Sequence, residues 1–281
     1  MVLLSAAFFG LITTFSRLAY DAGANPLTVV ETRTTAFVLV IGAIQLVARR
    51  SFWLPRRVMI ATFPMSLGIM VMSIGYLASV YFIKVSLAVV LFYSFPLIVA
   101  LLAAATGREK IVLPKAIALL VAFGGLVMAI GLESGSLDWR GVALVMLGAL
   151  GVAYNLTFTG PYFKGADGLT VNVWNNLWGA LALGAYLLLS DSVAWPTTGV
   201  GWAGLGGVAG CYVAGLPLMF GALKYLAPSQ TAVMFNLEPV VSIAVAGLLL
   251  GEVTQPLQWL GVAIMLAALC FSALRGAKSE A

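Results

Sequence analysis

One acidic residue stands inside an otherwise apolar run: Glu238, between Met234 and Leu250. A carboxyl in a stretch long enough to enter a membrane is costly there. It points to proton carriage or to pairing with a cationic group, set against a structural pair or a protonated carboxyl bonded to nearby backbone. Pro239 follows it, and Pro96 lies in a similar apolar run. Each proline removes one helical hydrogen bond and frees the carbonyl four residues earlier, which belongs to Phe92 or Phe235. The two are read as hinges or acceptors beside a path through the protein, set against packing kinks satisfied by neighbours.

A second set of groups suits recognition of polar and aromatic molecules. Asn172, Asn175, Asn176 and Gly179 recur at i, i+3, i+4 and i+7, which places them on one helical face flanked by Trp174 and Trp178. Amides there fix polar groups and indoles stack on rings, against the plainer reading of interhelical amide bonds and interface anchors. Asn155, Asn236, Tyr76 and Tyr93 complete the deep polar set. Asn236 and Glu238 point about 200° apart on a helix, so at most one faces a central cavity squarely. The candidate binding residues are therefore Tyr76, Tyr93, Asn155, Asn175, Trp178, Asn236 and Glu238. The candidates for coupling or gating are Glu31, Lys84, Pro96, Glu238 and Pro239. Glu31 and Arg33, two apart, cannot pair with each other. Lys84 either meets Glu31 or snorkels to the interface, and the second is favoured. Gly206 and Gly210 form a small-xxx-small pair suited to close helix packing.

These residues must be carried by membrane helices. The chain is 62% hydrophobic and 9% charged, against roughly 25% charged in soluble domains. Ten apolar segments are long enough to span: 2–20, 28–48, 58–83, 87–106, 113–132, 141–161, 170–190, 202–223, 230–250 and 257–274. The connections are short, so a single transmembrane domain, 1–281, is expected. Met1 enters the first apolar run without a basic region, and that run is expected to be retained. With no histidine and two cysteines, most metal sites and Ser-His or Cys-His catalysis lack their residues. No cofactor, no metal and no enzymatic activity are expected.

The net charge of +5 is a matter of placement. With ten spans both termini share a side. If that side is the cytoplasm, Arg49, Arg50, Arg56, Arg57, Arg108, Lys110, Lys115, Lys164, Lys224, Arg275 and Lys278 lie inside, while Arg17, Lys84 and Arg140 lie near the outside. This is the positive-inside pattern, not a nucleic-acid patch, and no nucleic-acid partner is expected. Trp53, Trp139, Trp195, Trp202 and Trp259 fall at segment ends, as interface anchors do.

The chain also repeats itself. Ser86, Val90, Phe92, Pro96, Ala103 and Glu109 recur as Ser229, Val233, Phe235, Pro239, Ala246 and Glu252, each pair 143 positions apart (for example 239 − 96). AGANPLTV at Ala22 to Val29 returns as KGADGLTV at Lys164 to Val171. The spacing spans five segments, an odd number, so matching helices cross in opposite senses. That predicts two inverted five-helix repeats, 1–136 and 137–281, around a central cavity, as in many transporters.

The run Asn236-Leu-Glu-Pro-Val-Val, followed by Leu250-Gly-Glu252 and Leu260-Gly261-Val262, resembles the EamA-type repeat of the drug/metabolite transporter superfamily. Pro96 and Gly107-Arg-Glu109 match in the first half, where Phe95 replaces the acid. The resemblance implies an all-α, ten-helix basket in a bacterial inner membrane that exports small metabolites, and within the superfamily the chain looks most like exporters of amino acids, aromatic ones in particular. Its partners would be a small-molecule substrate and the bilayer, and its oligomeric state is left open. Nucleobases or cationic drugs as cargo, a passive channel and an intramembrane enzyme are the alternative readings.

Overall fold

The computed structural model describes residues 1–107, 113–130, 138–159, 165–222, 225, 234–235 and 237–279. Among these described residues there are eleven α-helices: α1 Val2–Asp21, α2 Pro26–Val47, α3 Arg56–Phe82, α4 Val85–Phe92, α5 Phe95–Ala105, α6 Leu113–Ile130, α7 Trp139–Tyr154, α8 Gly168–Ser190, α9 Gly199–Ala222, α10 Leu237–Leu250 and α11 Pro256–Ser279. A π-helical turn, Asn155–Thr159, continues α7. Among the described residues six stretches are long and apolar enough to cross a membrane: α1, α2, α3, the α4–α5 stretch to Leu102, α7 with its π turn to Phe158, and α9. Leu237–Leu250 and Pro256–Phe271 are shorter apolar helices. The chain is thus an all-helical, multi-pass membrane protein over its described residues.

Local signals set the helix starts. Asn25 accepts a hydrogen bond from the Thr28 N–H at 2.8 Å, with Pro26 opening α2. Asp167 accepts from both the N–H and the hydroxyl of Thr170 at the start of α8. Side-chain acceptors of this kind satisfy N–H groups that the helix itself cannot. At the start of α7, the Arg140 guanidinium bonds Asp138 and holds its carboxyl below the usual carboxylate range. The boundary tryptophans Trp53, Trp139, Trp195, Trp202 and Trp259 are all exposed.

The segment expected to run unbroken over 87–106 is two helices. α4 ends at Phe92, Tyr93 and Ser94 form the break, and Pro96 lies in the first turn of α5. The physical reason is that a first-turn proline forfeits no helical bond, because its N–H would have had no partner. Pro96 therefore begins a helix and does not kink one.

The closest helix pairs all join one half of the chain to the other. α1 packs along α9 as α7 packs along α3; α2 meets α9 as α8 meets α3; α1 meets α10 as α7 meets α4 and α5; α2 pairs with α8, α4 with α10 and α6 with α11. This scheme maps onto itself when each helix is exchanged for its counterpart half a chain away. Close approach at these crossings needs glycine. A Cβ on Gly75 would lie 2.5 Å from the Leu144 carbonyl oxygen and 2.7 Å from the Gly148 nitrogen. The expectation for Gly206 and Gly210 fails: both are exposed, with open space where a Cβ would stand. A Cβ on Gly204 would lie 2.7 Å from the Phe15 carbonyl oxygen, so this glycine is one of the residues turned to α1. Lipid replaces water around such a helix, so its apolar pattern does not reveal the packed face.

Candidate functional site

The break in the fourth segment places the site. Tyr93, left at the end of α4, turns its hydroxyl to the buried Glu238 and donates to Oε2 at 3.1 Å. Glu238 lies in the first turn of α10, where the helix's unpaired N–H groups and dipole favour an acid. The Tyr76 ring of α3 stacks on Phe92 at 4.1 Å and 11°. Its buried hydroxyl has no hydrogen-bond partner among the described residues. Phe95 lies 5.9 Å from Tyr93, ring to ring. α1 closes the cluster from behind. A Cβ on Gly10 would meet the Glu238 carbonyl at 2.8 Å, and Thr13 shares a 2.6 Å hydrogen bond with Ser242. Four elements from one half and one from the other thus converge on a single carboxyl.

A second ionisable group is buried deeper in α2 than its sequence position suggested. Arg33 is 5% exposed. Its Nη2 donates to the Ser73 hydroxyl at 2.6 Å, and its guanidinium carbon lies 4.3 Å from the centre of the Tyr212 ring. Among the described residues no carboxylate pairs with it, and its Nε–H has no acceptor. Tyr212 is held from the far side: its hydroxyl donates to Asn176 Oδ1 at 3.0 Å, and the Asn176 amide donates to the Asn172 carbonyl. An unpaired buried cation costs several kcal/mol, and a ring face returns about 2 kcal/mol of that when desolvated.

Two aromatic rows run from Arg33 toward Glu238. One passes from Tyr212 through Phe9, at 6.1 Å, to Phe235, at 5.5 Å. The other begins at Tyr76, one turn beyond Ser73 on α3, and continues through Phe92 to Tyr93. The arrangement offers a cation, a carboxyl and aromatic faces between them.

The remaining sequence candidates are placed elsewhere. Asn175 is buried against α3, its side-chain amide donating to the Met65 sulfur at 3.1 Å and its backbone carbonyl accepting from the Ser66 hydroxyl. Trp178 donates to the Thr62 hydroxyl at 3.0 Å. The Asn155 side chain rests against Gly68 and, turned to satisfy both of its ends, bonds the Met65 carbonyl and the Ile69 N–H. These three join α8 and the end of α7 to α3. Glu31 accepts from Thr35 at 2.7 Å and faces Gly184 of α8. Lys84 is exposed at the α3–α4 turn. Pro239 is buried beside Glu238. Asn236 lies outside the described residues, as do Glu109, Lys224 and Ser229. A surface groove lined by Arg50, Trp53, Leu54, Asp167 and Thr170 lies at the far end of α2 from Arg33. No cluster of three or more metal-ligating side chains stands among the described residues.

Contacts at one end of the molecule tie the halves together. Glu252, after α10, accepts from the Val85 N–H at 2.7 Å, the Ser86 N–H at 3.0 Å and the Ser86 hydroxyl at 2.8 Å, capping α4. Beside it the α1–α2 turn meets the α8–α9 connection: Asn25 donates to the Ser192 carbonyl, Ala194 N–H donates to the Thr28 hydroxyl, and Thr197 N–H donates to the Ala22 carbonyl. Glu252 was noticed in the sequence as a repeat position only. Arg33 was noticed as a charge within a span. Tyr212 and Ser73 gave no signal beyond being polar residues in apolar runs.

Comparison with known proteins agrees with this architecture. A solved crystal structure of a protein superposes with a TM-score of 0.68 at 15% identity, over 99% of this chain and 98% of its own, a likeness of fold alone. An uncharacterized transporter of Synechocystis sp. (strain ATCC 27184 / PCC 6803 / Kazusa) is 29% identical over 147 residues, 48% of this chain. The match spans 44% of that relative's length. The model of the EamA-like transporter family matches twice, over residues 1–131 and 139–274, and the chain belongs to the EamA-like transporter family.

Proposed function

We propose that this transporter exports small amphipathic metabolites, amino acids including aromatic ones, by alternating access across a bacterial inner membrane. The observation that carries the reading is the buried Tyr93–Glu238 pair at the break between α4 and α5, flanked by stacked aromatic rings. Broken helices at mid-membrane mark substrate sites in transporters built from repeats. The proposed molecule has ten spans in two inverted repeats, 1–136 and 137–281, with both termini in the cytoplasm, following the positive-inside bias. The self-mapping of the helix pairs supports such a two-fold relation. In this orientation the Glu252 cap and the turn-to-turn contacts of Asn25, Ala194 and Thr197 close the outer face, and release of substrate requires them to part. Aromatic rings accept the apolar side chain of a substrate, and Glu238 accepts its ammonium group or carries the coupling proton.

Reconstitution tests the reading. Purified protein in liposomes should exchange labelled phenylalanine or tryptophan with saturable, counterflow-stimulated kinetics. Absence of saturable flux for every amino acid, purine and cationic drug tried would sink it, and flux that never saturates would indicate a channel.

A further inference from the structure

We infer that Arg33 is the subsite for a carboxylate on the transported molecule, so that substrate choice is set by an anionic group as well as by an aromatic one. This deepens the exporter reading above and rests on it. Three observations converge. The guanidinium is buried, and among the described residues no acid neutralises it. Its Nε–H is unpartnered, although one Nη2 bond to Ser73 and the Tyr212 ring hold the group in place. The buried hydroxyl of Tyr20 on α1, within electrostatic reach of Arg33, also lacks a hydrogen-bond partner among the described residues.

Both unsatisfied groups, the Arg33 Nε–H and the Tyr20 hydroxyl, carry hydrogens to give. A carboxylate is acceptor-only, with two oxygens and about four lone-pair positions, and a guanidinium matches it in a planar, two-pronged geometry. The guanidinium would repel an ammonium. A purely structural arginine at this depth is ordinarily paired with an acid or with backbone carbonyls. Arg33 instead spends its contacts on a neutral hydroxyl and a ring face, which fix its position without cancelling its charge. Tyr212 is itself oriented by Asn176, so the ring face presented to Arg33 is set before any ligand arrives.

Glu238 lies at the other end of the two aromatic rows. A molecule bearing a carboxylate, an aromatic side chain and an ammonium meets a complementary group for each. The prediction is specific to the carboxylate: removing it from the ligand and removing Arg33 from the protein should have the same effect, and the two should not add.

The test is ligand binding to purified full-length protein, with phenylalanine, 3-phenylpropionate (no ammonium) and phenethylamine (no carboxylate) as probes, on wild type, Arg33→Gln and Arg33→Lys. Wild type should bind phenylalanine about 10- to 100-fold more tightly than phenethylamine, the range for one hydrogen-bonded charge. Arg33→Gln should weaken both carboxylates by that factor and leave phenethylamine unchanged within about twofold. Arg33→Lys, which keeps the charge but loses the fork, should fall between. Equal weakening of all three probes, or none, overturns the inference. If Arg33→Gln does not fold, the wild-type ratio and Arg33→Lys still decide: phenethylamine binding as tightly as phenylalanine, or no binding of either carboxylate, overturns it. Saturable transport of amino acids without carboxylate selectivity would refute Arg33 alone. Binding of 3-phenylpropionate through Arg33 without amino-acid transport would refute the exporter reading and leave the subsite standing.

Discussion

Glu252→Ala removes three contacts across the two halves at once: those from the Val85 N–H, the Ser86 N–H and the Ser86 hydroxyl, at 2.7, 3.0 and 2.8 Å. A hydrogen bond to a charged group contributes about 1.5–3 kcal/mol, and a carboxylate at a helix N-terminus adds about 0.3–1 kcal/mol. Both figures must be reduced here. Glu252 is only part-buried, and water reaching the turn can take over the two N–H groups. Polar contacts between membrane helices also measure lower, averaging about 0.6 kcal/mol with a maximum near 1.7 kcal/mol. The expected cost of Glu252→Ala is therefore about 2 kcal/mol, and Ser86→Ala, which loses one of the three contacts, should cost about 0.5–1 kcal/mol. The decisive quantity is the double-mutant cycle, read by reversible unfolding in mixed micelles. In the Glu252→Ala background the Ser86 hydroxyl has already lost its acceptor, so Ser86→Ala should cost nearly nothing there. Equal cost of Ser86→Ala in both backgrounds would refute the assignment of Glu252 as the cap that joins the α10–α11 turn to α4.

Three further outcomes follow from the packing and from the buried acid. Gly75→Ala drives a Cβ to 2.5 Å from the Leu144 carbonyl and should cost upward of about 2 kcal/mol. Gly206→Ala and Gly210→Ala, on the open face of α9, should be neutral or stabilising by up to about 1 kcal/mol; the same unfolding assay compares all three, and equal effects would contradict the packing. Glu238→Gln should abolish stimulation of transport by a pH gradient while leaving ligand binding measurable, and an unchanged pH dependence in proteoliposomes would exclude a proton-carrying role. Tyr93→Phe takes the only described donor from Glu238 Oε2 and should weaken the stability of the folded protein by about 0.6–1.7 kcal/mol, an effect that vanishes when Glu238 is already alanine.

Helix positions were legible because hydropathy is local: the apolar runs 28–48 and 170–190 begin two residues inside α2 and α8, whose starts Asn25 and Asp167 cap. The repeat was legible as identities. What could not be read is which side of an apolar helix faces protein, since lipid imposes no polar pattern on the other side; Gly206 and Gly210 were misplaced for that reason. Partners distant in sequence were equally hidden. Ser86 and Glu252 both stood out as repeat positions, yet nothing local says that they meet 166 residues apart. Arg33 was recognised as a charge in a span without its counterpart because the groups that hold it, Ser73 and Tyr212, are neutral and come from other helices. Sequence reasoning looks for a carboxylate beside such a charge, and the fold supplies a ring.

The difference between the halves follows from where α4 and α10 meet. By the 143-residue spacing α10 is the counterpart of α5, and it meets the α4 end of that same broken segment across the two-fold relation that the helix pairs follow. Residues close to such an axis face their own equivalents. Had both halves kept an acid before the proline, two carboxyls would have been brought toward one another in a low-dielectric interior, where one would be forced to hold a proton. Phe95 in place of the acid removes that conflict. Tyr93, whose counterpart is Asn236, supplies instead a neutral donor to the one carboxyl that remains. Duplication gives the fold its two-fold pairing, and divergence at positions 93, 95, 236 and 238 gives the centre a single ionisable group with a direction. A carrier that alternates between two similar packings needs a similar framework on both sides. It needs only one acid at its middle, and a second copy there would oppose the first.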